Sequence, residues 1–168
     1  YGELVPDPAH RSLRSYGSMT YAGVKSMVYA GLDRNDPRVR AAYDWIRRHF
    51  RFDENPGLGQ QGLFYYYHAM ARALRAAQQP IITPIAEPGA ASAVTSAPRN
   101  WREALVDALV ERQRDDGSWV NSADRWLEGQ PALCTTYAVL ALEEILKPAP
   151  EEAAVARAAT GERPVSGD

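Results

Sequence analysis

"GQQGLFYYYHAMA" at 59–71 and "GQPALCTTYAVLA" at 129–141 are two versions of one segment, 70 residues apart, with Gly, Gln, Leu, Tyr and Ala at the same places. Self-similarity at a fixed spacing means that one supersecondary unit is stacked on itself, which excludes most architectures at once. A third copy enters through "TYA" at 20–22, set against "TYA" at 136–138 and "YYH" at 66–68. The equivalent tyrosines are then Tyr21, Tyr67 and Tyr137, with separations of 46 and 70. Residues 78–99, "QQPIITPIAEPGAASAVTSAPR", are rich in Pro, Ala, Ser and Thr and read as a long inserted loop. Without those 22 residues the longer spacing becomes 48, so the unit is a helical hairpin of constant length with one insertion.

Helical periodicity dominates the rest, and no run alternates as a strand does. The fold class is therefore all-α, with five main helices. The first spans 18–31, with Gly31 as its C-cap. Asp36 caps a second over 37–50, where Pro37 takes the first helical position and Val39, Tyr43, Ile46 and Phe50 form a stripe. A third spans 63–77. Asn100 caps a fourth over 101–112, with Leu105, Val106, Leu109 and Val110 inward, and a fifth covers 132–146. Residues 1–15 read as an irregular lead-in, 16–147 as the repeat domain and 148–168 as a mostly disordered tail.

Composition narrows function more than it defines it. At 168 residues, 45% of them hydrophobic, the chain can build one core. A net charge of −2 without a Lys/Arg block excludes a nucleic-acid footprint and an electrostatic membrane anchor. No apolar run has the length of a transmembrane helix. The single cysteine, Cys134, excludes an internal disulfide framework. The chain opens on Tyr1, as a processed product or fragment would, so the compartment stays open.

The stretch "QRDDGSW" ends the fourth helix. Gln113 is placed to bond orphan carbonyls, Gly117 to supply a left-handed cap, and Trp119 to pack back over the helix end with its indole N–H paired. Q-x-x-x-G-x-W after an apolar helix, on a 46–48-residue period, resembles the QW motif of the squalene–hopene and oxidosqualene cyclase family. The likeness extends from about Tyr16 to Leu146. It implies α/α-toroid hairpins in which Gln113, Gly117 and Trp119 staple an outer helix to the next inner one, a structural role.

The same resemblance frames the chemistry. The cyclases protonate an alkene with a D-x-D-D acid, which is missing here; "DRND" at 33–36 is the nearest string, and its place before Pro37 makes it a helix cap. "LFYYYHAMARAL" at 63–74 is similar to the inner helix of protein prenyltransferase β-subunits, where a Tyr-His pair supplies a zinc ligand. That resemblance implies His68, with Cys134, as zinc ligands. The family's D-x-C is broken, however, because Ala132 stands two before Cys134, and the Cys–His order is reversed. No cofactor is expected; zinc stays a minor option beside a cavity-lining or core His68. Inner-helix aromatics in these families line the cavity, so Tyr21, Tyr67, His68, Cys134, Tyr137 and the rim residue Trp126 are the cavity candidates. The alternative is that the tyrosines simply pack the inner ring.

Three inner and two outer helices cover less than half of a ring of about six hairpins. The resemblance implies that the remainder comes from missing sequence, a second chain or self-association. Two functions follow. The chain is the C-terminal part of a squalene cyclase- or prenyltransferase-like protein handling an isoprenoid or other apolar ligand, or it is a non-catalytic toroid module for protein binding or scaffolding.

Overall fold

The computed structural model describes residues 15–86 and 97–148. The lead-in before residue 15, the middle of the insertion and the tail from residue 149 lie outside the described residues, and the readings made for them with it. The architecture is all-α. Its helices are α1 (Gly17–Tyr29), α2 (Pro37–Arg48), α3 (Leu63–Ala76), α4 (Trp101–Val110) and α5 (Pro131–Leu146). None of them is long and apolar enough to cross a membrane.

Local chemistry sets most helix ends. Asp36 Oδ1 accepts the Arg38 backbone N–H at 2.9 Å with Pro37 behind it, and Asn100 Oδ1 accepts that of Arg102 at 3.0 Å. At the end of α1 the chain turns left-handed at Gly31 (φ 76°), where Gly31 N donates to Val28 O and Leu32 N to Met27 O. α3 ends with the same pair of bonds, Gln78 N to Arg75 O and Gln79 N to Leu74 O, but here Gln78 adopts φ 53°. A side chain in that region is strained where glycine is not.

α3 is central, with α1 against one flank and α5 against the other; α2 packs on α1 and α4 on α5. The core runs through this arrangement, from Tyr21 and Val24 of α1, through Phe64, Tyr66, Tyr67, Met70 and Leu74 of α3, to Trp101, Leu105 and Leu109 of α4 and Ala138 and Ala141 of α5.

The insertion is less free than its composition suggests. Its first part runs beside α2: Tyr43 Oη donates to Gln79 Oε1 (3.1 Å), Arg47 Nε to Thr83 O (2.8 Å) and Ile85 N to Arg47 O (3.2 Å). Ile82 is fully buried. Two short strands, β1 (Ile81–Ile82) and β2 (Arg99–Asn100), pair antiparallel and deliver the chain to the start of α4. Two-residue strands are too short to leave a periodic signal, so the sequence pattern does not show them.

Candidate functional site

Burial along α1, α3 and α5 defines their register. On α3 the inward positions include Leu63, Phe64, Tyr67, Met70, Ala71 and Leu74, and 46 residues earlier α1 buries Gly17, Ser18, Tyr21 and Val24. Tyr21 and Tyr67 are therefore equivalent. On α5 the buried set is Cys134, Ala138, Ala141 and Glu144, which aligns with Leu63, Tyr67, Met70 and Ala73 at a spacing of 71, one more than the sequence match. One residue turns a helix by about 100°. Tyr137 thus takes the register of Tyr66, and Ala138 that of Tyr67, contrary to the alignment by identity.

This slip separates the candidate residues. Tyr21 lies in the core, edge-on to Tyr66 at 5.6 Å, and burial pushes its hydroxyl pKa far up. Tyr67 is equally buried, donates its hydroxyl to the Phe52 carbonyl and lies beneath the Arg112 guanidinium, 5.9 Å from its ring centroid. Both lie inside the core, so the expectation that they line a cavity with His68 is corrected. Cys134 is also core: its thiol donates to Glu128 O at 2.8 Å, and burial, helped by the Glu128 charge, pushes its pKa up to about 11. Among the described residues no three or more His, Cys, Asp or Glu stand together as a metal site.

His68 and Tyr137 do meet. Their rings stack at 6.0 Å (23° between planes), and Tyr65 meets Tyr137 edge-on at 5.7 Å. His68 is half-buried and its Nδ1 is enclosed without a partner. Burial lowers its pKa first, with Arg72, Lys25 and Lys147 acting in the same direction and Glu144 opposing them. Near pH 7 the imidazole is neutral.

His68 belongs to the stripe of α3 that is least covered, with Tyr65 exposed and His68, Arg72 and Arg75 half-buried. The matching positions of α1 are Met19, Ala22, Ser26 and Tyr29, and those of α5 are Thr136, Val139, Glu143 and Leu146. Met19, Tyr29, Tyr65, Val139 and Leu146 are between 38% and 81% exposed. Arg75 reaches Glu144 across the α3–α5 seam at 3.4 Å, and Lys147 reaches the same carboxylate at 2.8 Å.

Above this row sits the loop that follows α4. Trp126, on a short 3-10 turn (Asp124–Trp126), lies against Gly62 at the start of α3 so closely that a Cβ there would come within 2.9 Å of the indole. Arg125 covers the same ring, 5.5 Å from its centroid. Glu128, two residues on, is 1% exposed. Its carboxylate accepts the backbone N–H of Phe64 (3.3 Å) and of Tyr65 (2.9 Å), and the Asn121 side-chain amide (2.7 Å). It caps α3 from 63 residues away, because Gly62 offers no side chain to do so. Asn55 does the same for α1, with Oδ1 accepting Ser18 N at 3.1 Å. The only sequence signal for either residue is negative: helices that open without a Ser, Thr, Asp or Asn cap.

The QRDDGSW stretch divides its roles differently from expectation. α4 ends at Val110, and the carbonyl of Leu109, which accepts Arg112 N at 3.2 Å, also accepts Trp119 Nε1 at 2.8 Å, with Trp119 N donating to Thr135 Oγ1 on α5 at 3.2 Å. Gln113 Nε2 instead donates to Gly117 O (3.0 Å), inside a turn closed by Gly117 N to Arg114 O (2.8 Å). Gly117 (φ 80°) therefore supplies a turn beyond the helix, not its cap. In "DRND", Arg38 hydrogen-bonds to Asp36 and holds that carboxyl down at about 2. An acid that stays ionised cannot protonate an alkene.

Compared with protein-family models, curated proteins and solved structures, the chain matches none of them.

Proposed function

We propose that the chain is an arc of an α/α-toroid repeat protein of the squalene cyclase and prenyltransferase type, and that within these residues it binds rather than catalyses. One observation carries the reading: equivalent positions of α1, α3 and α5 present an uncovered stripe that holds Met19, Tyr29, Tyr65, Val139 and Leu146. Large apolar side chains gathered on one face mark a surface meant to be covered. In a toroid that face is the inner wall. The local chemistry fits that reading, since Asp36 caps α2 and Cys134 donates its thiol to Glu128 O inside the core.

A second reading, uptake of an isoprenoid by the inner wall, is favoured by the Tyr65–Tyr137 ring pair. Light scattering from about 1 to 100 μM, with and without farnesol, tests both. The chain should associate, or should take up the alcohol, and Val139→Glu with Leu146→Glu should abolish either behaviour without changing far-UV circular dichroism. A chain that stays monomeric, takes up no farnesol and binds no hydrophobic dye overturns the proposal.

A further inference from the structure

α3 is packed on both flanks, and the helices at either end of the row carry less covered copies of those flanks. Toward α5, α3 presents Tyr65 and His68 to the Tyr137 ring and Arg75 to Glu144 at 3.4 Å. At the spacing of 71 the same positions of α5 are Thr136, Val139 and Leu146. Val139 is 44% exposed and Leu146 81%, and Leu142 is half-buried where its counterpart Ala71 is fully buried. The receiving flank repeats as well. Tyr137 and Glu144 of α5 correspond to Tyr66 and Ala73 of α3, both fully buried, and to Thr20 and Met27 of α1, both half-buried. Between the last two, Gly23 stands where α3 has buried Ala69, and a Cβ added to it would meet nothing within 4 Å.

Resting on the reading of the chain as an arc of repeats, we propose that the occupant of the open α5 flank is α1 of a second copy, docked head to tail. The contact continues the α3–α5 seam from one chain to the next, with Leu146 on Met27 and Val139 on Thr20. One rung selects this partner. Where the internal seam sets Arg75 against Glu144, both open flanks have exchanged the charge for an apolar side chain, Leu146 on α5 and Met27 on α1. Either flank placed on a charged counterpart would bury an ion without its partner, whereas the two together bury none at that rung. The contact is heterologous, so each copy keeps one flank for a further copy, and the assembly closes as a ring or extends as a filament.

The test is sedimentation velocity of the full 168-residue chain from about 1 to 100 μM, with far-UV circular dichroism of each variant as the folding control. The parent should associate, and Leu146→Glu and Gly23→Glu should each weaken association about tenfold or more. Both positions are exposed, and glutamate is a better helix former than glycine, so neither change threatens the fold. Mixing the two variants decides the mode. Each keeps one sound flank, so the mixture should form complexes of one chain of each kind and stop there. Leu146→Arg with Met27→Glu in one chain copies the Arg75–Glu144 rung and should restore association that now weakens as salt rises. Should Met27→Glu unfold the chain, the mixing result decides alone. Association lost in Leu146→Glu but untouched by Gly23→Glu, or two variants that stay separate when mixed, overturns this inference and leaves the binding face standing. A parent that remains monomeric at every concentration overturns it too, and the binding face then stands or falls on its uptake of farnesol and dye.

Discussion

Replacing Glu128 is the most direct measure of how the loop after α4 secures the core. The carboxylate is buried and holds three donors at once, Phe64 N, Tyr65 N and the Asn121 amide. Glu128→Ala leaves Phe64 N and Tyr65 N without an acceptor and the Asn121 amide with Gln60 O alone. At about 1–3 kcal/mol for each buried donor left unpaired, and with water reaching some of them through the new space, the loss should be about 3–5 kcal/mol. Glu128→Gln keeps the shape and one oxygen, but its amide turns a donor toward a donor and gives up the favourable charge at the start of α3. That variant should lose about 1–2 kcal/mol. Urea unfolding followed by far-UV circular dichroism reads both values, provided the slope stays constant across variants. Amide exchange adds a local readout, because Phe64 and Tyr65 should lose protection in Glu128→Ala before the rest of α3 does. A loss under about 1 kcal/mol for Glu128→Ala, or a Gln variant as stable as the parent, would refute the reasoning, since either means the donors find water as readily as the carboxylate.

Three further outcomes follow from the same geometry. Trp119→Ala should cost about 3–5 kcal/mol and Trp119→Phe about 1–2, the second isolating the bond to Leu109 O from the packing; urea melts of the pair check both. Gln78→Gly should stabilise by about 0.5–1 kcal/mol, because the left-handed turn ending α3 strains any side chain, although glycine also loosens the unfolded chain; thermal melting decides the sign. His68 has a folded pKa below its ordinary 6.5, so the unfolded chain binds more protons between the two values. Stability should fall as pH drops below 6.5 and level off once the folded pKa is passed, and His68→Gln should flatten that part of the curve in urea melts taken across this range.

Helix number, class and most helix boundaries are written locally, and the chain declares them without help from its fold. Asp36 before Pro37, Asn100 before Trp101 and Gly31 after α1 each act within four residues of the bonds they make, so a linear reading reaches them. The face each helix turns to its neighbours is another matter. "GQPAL" and "GQQGL" align by identity at 70 residues, while burial aligns α5 with α3 at 71, and that single residue moves Tyr137 out of the register of Tyr67 and beside His68. Matching letters tolerates such a slip, whereas a helix surface does not, because each residue rotates the side chain by about 100°. Glu128 capping α3, Asn55 capping α1 and residues 79–85 lying along α2 are likewise decisions of the tertiary structure. They join groups far apart in sequence through a few hydrogen bonds each, which leave no period and no spacing to read, and the two caps exist because packing α1, α3 and α5 side by side leaves helix ends that a distant side chain must satisfy.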